Sequence, residues 1–202
     1  MKPGDAAPRS PGAFERNILT EAKNGVERPL SEDGEVRLRP VEPGDEDFLL
    51  GVYAGSRADE LALVPWDEEQ KRAFVRSQFE AQFAQYNERF PDAEYSVILY
   101  RGRPAGRLWI GRTPEEIRLL DIAILPEFQN QGVGAALLKS LLAESARCGL
   151  PLRHMVFKLN TAALRFYQRF GFTQIDDVGA YIHMERLPDP AAPPAADPTS
   201  AG

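Results

Sequence analysis

The chain has 202 residues, 43% of them hydrophobic and 27% charged, which suits one well-cored domain rather than two. Its formal charge, 24 Lys and Arg against 30 Asp and Glu, is −6. That excess of acid argues against a general nucleic-acid binder and is compatible with a cationic substrate such as an amine. Cys148 is the only cysteine, so an intrachain disulfide and a cysteine metal cluster are both ruled out, and no metal-ligand spacing is present. Met1 to Pro11 has no apolar run resembling a signal peptide, and there is no stretch of about 18 apolar residues. A soluble, cytoplasmic protein without a metal is expected.

In chain order, residues 1–34 mix Pro, Gly and charges and read as a poorly ordered extension, with at most a short helix over Ala13 to Lys23. Val36 to Val41 alternates as a strand. After Pro43-Gly44, Asp45 is placed to cap a helix carrying Phe48, Leu49, Val52 and Tyr53. Asp67 and Gln70 have capping-box spacing, and Val75, Phe79, Phe83, Tyr86 and Phe90 then form one apolar stripe ending at Pro91. Tyr95 to Tyr100 and Arg107 to Ile110 read as a hairpin through Gly102. Ile117 to Leu125 is almost continuously apolar, as in a strand buried on both faces, and Pro126 stops it. A helix from Gly132 to Cys148 buries Leu137, Leu138, Leu141 and Leu142. A strand from Leu152 to Leu159, a helix from Ala162 to Phe170 closed by Gly171, and strands Phe172 to Ile175 and Tyr181 to Leu187 complete the domain. The order implies one mixed sheet with helices on both faces over residues 35–187, and the Pro/Ala-rich segment 188–202 reads as a disordered tail.

The stretch from Leu119 to Ala135 carries the chemistry. A buried strand runs into a polar, glycine-containing turn that opens directly into a helix, where unpaired N–H groups and the helix dipole attract an anion. It is not a Walker A loop, because Lys139-Ser140 follows Leu138 inside the helix. It is not a dinucleotide fingerprint either, because Leu137 stands where the third Gly is needed.

Gln129-Asn130-Gln131-Gly132-Val133-Gly134 resembles the pyrophosphate loop Q/R-x-x-G-x-G/A of the GNAT acetyltransferase superfamily. Asn160, Ala163-Leu164-Arg165-Phe166-Tyr167 and Gly171-Phe172 resemble that family's N…A-x-x-x-Y…GF segment. Glu60 to Trp66 (E-L-x-x-x-P-W) and Ala93 to Tyr95 (A-E-Y) are similar to segments of bacterial members. Thr161 stands where such members commonly have Pro, and Phe157 where they often carry an acidic residue, a departure that bears on specificity.

The resemblance implies an α+β, three-layer α-β-α fold with a mixed, mostly antiparallel sheet, and acetyl-CoA as cosubstrate between the strands ending near Ile124 and Leu159. Ile122, Ala123 and Ile124 would offer backbone to the pantetheine, and the Ile122–Ala123 backbone would polarise the thioester. Gln129, Asn130, Gln131, Gly132, Val133, Gly134 and Ala135 would hold the pyrophosphate, with Asn160, Ala163, Phe166 and Tyr167 also on the cofactor side. Tyr167, a phenol of pKa about 10, is the expected acid for the leaving thiolate, against a plain buried-face aromatic. Asp121, Glu94 and Glu60 are the candidate bases. Asp121 is equally readable as half of a salt bridge with Arg107 or Arg118, and the other two as surface charges. Tyr86 and Trp66 could line the acceptor pocket, while His154 and His183 read as satisfied strand residues. The implied partners are acetyl-CoA and an amine, with no nucleic acid and no membrane, and the closing strands could support a homodimer. The rival readings are a non-catalytic acyl-CoA-binding regulator, a transferase for another acyl group or a protein N-terminus, and a plain interaction module.

Overall fold

The alternation of Val36 and Leu38 with arginines forms a strand with both aliphatic side chains buried. A computed structural model describes residues 27–31 and 33–189. The expected helix over 13–23, most of the N-terminal extension and the tail from 190 onward lie outside the described residues. The described residues form two units, one from those up to Gly111 with Leu120–Gly134, the other from Arg112–Leu119 with those after Gly134.

In the first unit β1 (Arg28–Pro29), β2 (Val36–Pro40), β3 (Glu94–Tyr100) and β4 (Arg103–Arg112) pair antiparallel in that order. The β3–β4 turn is two residues long. Arg101 and Gly102 both have positive φ, 50° and 75°, and such a turn matches the twist of the strands it joins. β4 therefore starts at Arg103, four residues before the expected Arg107. Pro104 and Gly106 read as breakers in sequence, but a bulge takes them in, because Leu99 faces Pro104 while Ile98 faces Gly106.

A 3-10 turn (Pro43–Asp45), α1 (Glu46–Gly55), the short α2 (Ala58–Ala62) and α3 (Glu68–Arg89) lie between β2 and β3. Neither α2 nor β1 was expected. Asp45 does not cap α1 with its side chain. Its carboxylate instead accepts from both Arg39 Nη atoms at 2.6 Å and from the Glu42 N–H at 2.8 Å. The capping box of α3 is present, with the Gln70 N–H donating to Asp67 at 2.8 Å and the Asp67 N–H to Gln70 at 3.0 Å.

The aromatic stripe of α3 folds onto Trp109 of β4, which is fully buried. Ring centroids lie 5.8 Å away for Phe79 and Phe83, 6.0 Å for Tyr86 and 5.1 Å for Tyr95. Tilted and edge-on pairs of this kind add roughly 0.5–1.5 kcal/mol each beyond the area they bury.

β5 (Ile117–Ile124) contributes its first residues to the second unit and its last to the first. It pairs parallel with β6 (Leu152–Phe157) from Ile117↔Leu152 to Leu119↔His154. A parallel pair needs a long crossover, and α4 (Val133–Cys148) lies in it. Val133, Leu137, Leu138 and Leu141 are its buried side. β6 pairs antiparallel with β8 (Tyr181–Arg186), and β8 with β7 (Thr173–Val178). The sheet is thus mixed and mostly antiparallel, and the fold is α+β.

α5 (Thr161–Arg169) ends on Gly171, φ 80°, whose N–H reaches Gln168 O at 2.9 Å. β6 stops at Phe157, leaving Leu159, expected in the strand, 80% exposed. β7 runs to Val178 rather than Ile175. Among the described residues no helix is long and apolar enough to cross a membrane.

Candidate functional site

The strand end and the loop after it belong to the first unit. β5 begins buried at Ile117, Leu119 and Leu120, but Asp121 to Ile124 are only half-buried. The expectation of burial on both faces therefore holds for the first half of the strand alone. A 3-10 turn, Pro126–Phe128, follows and is anchored by buried Phe128, whose ring meets that of Tyr100 at 6.1 Å.

Asn130 and Gly132 then take positive φ, 59° and 83°. Left-handed residues next to ordinary ones turn successive N–H groups toward a common concave side. Gln129 to Gly132 are exposed, and a Cβ built on Gly132 meets nothing within 4 Å. The loop side chains bend back on their own segment: Gln129 Nε2 donates to Ile124 O at 2.8 Å and Gln131 Nε2 to Glu127 O at 2.5 Å. They brace the loop from within its own segment, ahead of the start of α4. Val133 is buried and anchors the helix, while Gly134 and Ala135 are half-buried.

Gly106 holds the strand end from the β4 side, a role invisible in sequence except as a glycine inside a strand. A Cβ there would lie 2.1 Å from the Ala123 carbonyl oxygen and 3.0 Å from Ile124 Cα. The close approach is sealed by the Leu125 N–H donating to Ala105 O at 2.9 Å.

Each candidate carboxylate has an arginine. Asp121 accepts from Arg107 Nε at 2.5 Å, so of the two anticipated partners Arg107 takes it. Glu60, exposed on α2, pairs with Arg57 at 3.1 Å. Glu94, first in β3, accepts from Arg28 at 2.8 Å and from the Ser96 hydroxyl at 3.1 Å. Arg57 and Arg107 both lie over the ring of Tyr53, at 5.0 and 5.2 Å. A chain of contacts thus links Glu60 to Asp121, and Glu94 stands with Arg28. The Tyr86 hydroxyl donates to Leu120 O at 2.9 Å, and Trp66, 38% exposed, packs on Phe74.

In the second unit Asn160 is the N-cap of α5, its side chain accepting from the Ala163 N–H at 2.9 Å. Thr161, where Pro is common, uses its own N–H to reach Leu159 O at 2.9 Å, a bond Pro cannot make. Ala163 and Phe166 are half-buried. Tyr167 is buried, with its ring 4.9 Å from His154, 5.4 Å from Phe166 and 5.4 Å from Phe172. His154 is satisfied by Leu119 O at 2.7 Å from Nδ1. Phe157 stacks on Tyr181 at 5.7 Å.

His183 belongs to an ion cluster away from these residues in sequence. Its Nε2 lies 2.8 Å from Arg118 Nη1, and Glu116 pairs with both Arg118 and Arg153. Burial, and after it the charges of Arg118 and Arg153, hold the imidazole below its ordinary pKa. Burial alone would raise Glu116, but hydrogen bonds from Arg153 and Arg118 hold it below the usual carboxylate range. Among the described residues no group of three His, Cys, Asp or Glu side chains could hold a metal ion.

Known proteins match this arrangement. "Uncharacterized N-acetyltransferase CgeE" of Bacillus subtilis (strain 168) is 27% identical over 78 residues, 39% of this chain. The matched part spans 30% of that relative's length. PaiA N-acetyltransferase from Thermoplasma acidophilum, solved in complex with coenzyme A, has a TM-score of 0.58 at 18% identity, covering 75% of this chain and 98% of that one. An acetyltransferase from Thermus thermophilus has a TM-score of 0.55 at 24% identity, covering 74% and 94%. At these identities the structures speak for the fold alone. The family profile "Acetyltransferase (GNAT) family" matches residues 59–172, a stretch that takes in α3, β5, the open loop and α5. The chain belongs to the acetyltransferase (GNAT) family.

Proposed function

We propose that residues 35–187 form an acetyl-CoA-dependent N-acetyltransferase that acts on a primary amine by direct attack in a ternary complex. The observation that carries this reading is the half-exposed strand end Asp121–Ile124 running into an exposed loop with two positive-φ residues at the start of α4. That sequence of features suits an extended polar chain along the strand end, with N–H donors at the helix start for its pyrophosphate. Acetyl-CoA supplies an acetyl group already activated as a thioester.

The backbone of 129–135 holds the pyrophosphate, and the backbone of Ile122, Ala123 and Ile124 receives the pantetheine. An N–H of the Ile122–Ala123 segment bonds the thioester oxygen as charge grows on it. Asp121, Glu94 or Glu60 takes the proton that the amine loses as its nitrogen bonds the carbonyl carbon. Asp121 is favoured, because it directly precedes Ile122 on the strand. Tyr167 gives its phenolic proton to the sulfur as the C–S bond breaks. Most of the acceleration then comes from positioning.

Isothermal titration with acetyl-CoA, followed by a free-thiol assay, tests this. Gly134→Glu should abolish binding with the fold intact, because it puts a carboxylate among the donors. Tyr167→Phe should keep the Kd and lower kcat by about 100-fold. Well-folded protein that binds no CoA species would sink the reading. Binding with no turnover of any amine would mark a regulator, and turnover of longer acyl groups only would change the donor.

A further inference from the structure

Among the described residues of the first unit, Arg107 is the most deeply buried charge, its side chain 1% exposed. Its guanidinium lies 4.5 Å from the Trp109 ring centroid, 5.2 Å from Tyr53 and 5.3 Å from Phe79. Nε is satisfied by Asp121, but Nη1 has no hydrogen-bond partner among the described residues. Two residues along the same strand, the buried indole Nε1 of Trp109 also has none.

Aromatic faces attract a cation, yet they are weak acceptors for an N–H proton, and a buried donor left unmade is costly. Both orphan groups are donors, so both call for an oxygen, and the one on a guanidinium bonds most strongly to an anionic oxygen. A second guanidinium, Arg57, stands over the same Tyr53 ring with its side chain 29% exposed. Asp121, 19% exposed, is the more accessible half of the Arg107 pair.

A carboxylate beside a guanidinium is the complement of a zwitterion. We infer that this cluster is the acceptor subsite and that it reads an amine with a carboxylate beside it, an amino acid. Asp121 takes the ammonium, and Arg107 Nη1 with Trp109 Nε1 takes the carboxylate. The inference rests on the transferase reading above and names its substrate class. A simple amine or a polyamine would fill the Asp121 side and leave both donors orphaned, and such a site discriminates strongly against a ligand lacking the group it is built to bond.

The test is isothermal titration of the full chain, saturated with CoA, using lysine, tyrosine and methionine, each against its decarboxylated amine (cadaverine, tyramine and methylthiopropylamine). At least one amino acid should bind about 10-fold or more tightly than its amine. Arg107→Met should remove that preference, and Trp109→Phe, which keeps the ring and loses the donor, should reduce it. Equal binding within every pair, or no binding of any amino acid by protein that binds CoA, overturns the inference, as does a preference that survives Arg107→Met. If the wild type binds no CoA, the transferase reading falls separately, and the same titrations without CoA still decide whether Arg107 holds a carboxylate.

Discussion

Gly106 shows how one missing side chain can set a strand end. With the Ala123 oxygen 2.1 Å from where its Cβ would be, even a methyl group must push that carbonyl away. Gly106→Ala is expected to cost about 1–3 kcal/mol through overpacking. It should also weaken acetyl-CoA binding by about 10-fold or more, since Ala123 lies in the segment proposed to receive the pantetheine. Thermal melting and acetyl-CoA titration on the same preparation check both, and unchanged binding in a folded variant would separate Gly106 from the site. Asp121 makes the complementary point about charge. Its sequence, a lone carboxylate in an apolar strand, allowed either a pairing or a chemical role. The structure provides the pairing, to Arg107, while leaving part of the side chain accessible.

At the level of elements, legibility followed locality. The capping box of α3, its aromatic stripe, the start of α4 and the glycine stop of α5 depend on residues within a few positions of each other, and each stands where the pattern placed it. Two strands that depend on a distant partner depart from the pattern. β1 is two residues that become a strand only against β2, and β4 was cut short because Pro104 and Gly106 become strand only through the bulge opposite Ile98 and Leu99. The same locality predicts a separable energy for α3. Asp67→Ala removes the acceptor for the Gln70 N–H and should cost about 1 kcal/mol, with the denaturant m-value unchanged. A cost near zero would mean that packing of Phe79 and Phe83 alone sets that helix start.

For the molecule as a whole, acid sensitivity is written into the cluster around Glu116. Arg118 donates to His183, so Nε2 must be the acceptor and the ring neutral when folded. Its pKa lies below the ordinary 6.5, so the unfolded chain binds that proton first and stability falls as pH drops below about 6.5 toward the folded value. Glu116, likewise lowered, adds a second loss from its ordinary 4.5 downward, as protonation releases Arg118 and Arg153. Melting curves between pH 7.5 and 5 should show Tm falling as the pH drops. His183→Gln, which keeps an acceptor for Arg118 but cannot titrate, should flatten that slope. A slope unchanged in the variant would assign the acid loss to other groups.

The sequence by itself determined the family resemblance, the α+β element order and the position of the loop from Gln129 to Gly134, because turn chemistry, helix caps and hydrophobic period are local properties of the chain. Only the tertiary structure decided which arginine meets Asp121, why position 106 must be glycine, and that Arg107 and Trp109 keep buried donors without partners among the described residues. Those facts arise where β4 meets residues far along the chain, and no spacing in the sequence records which atoms a folded backbone brings within hydrogen-bonding distance.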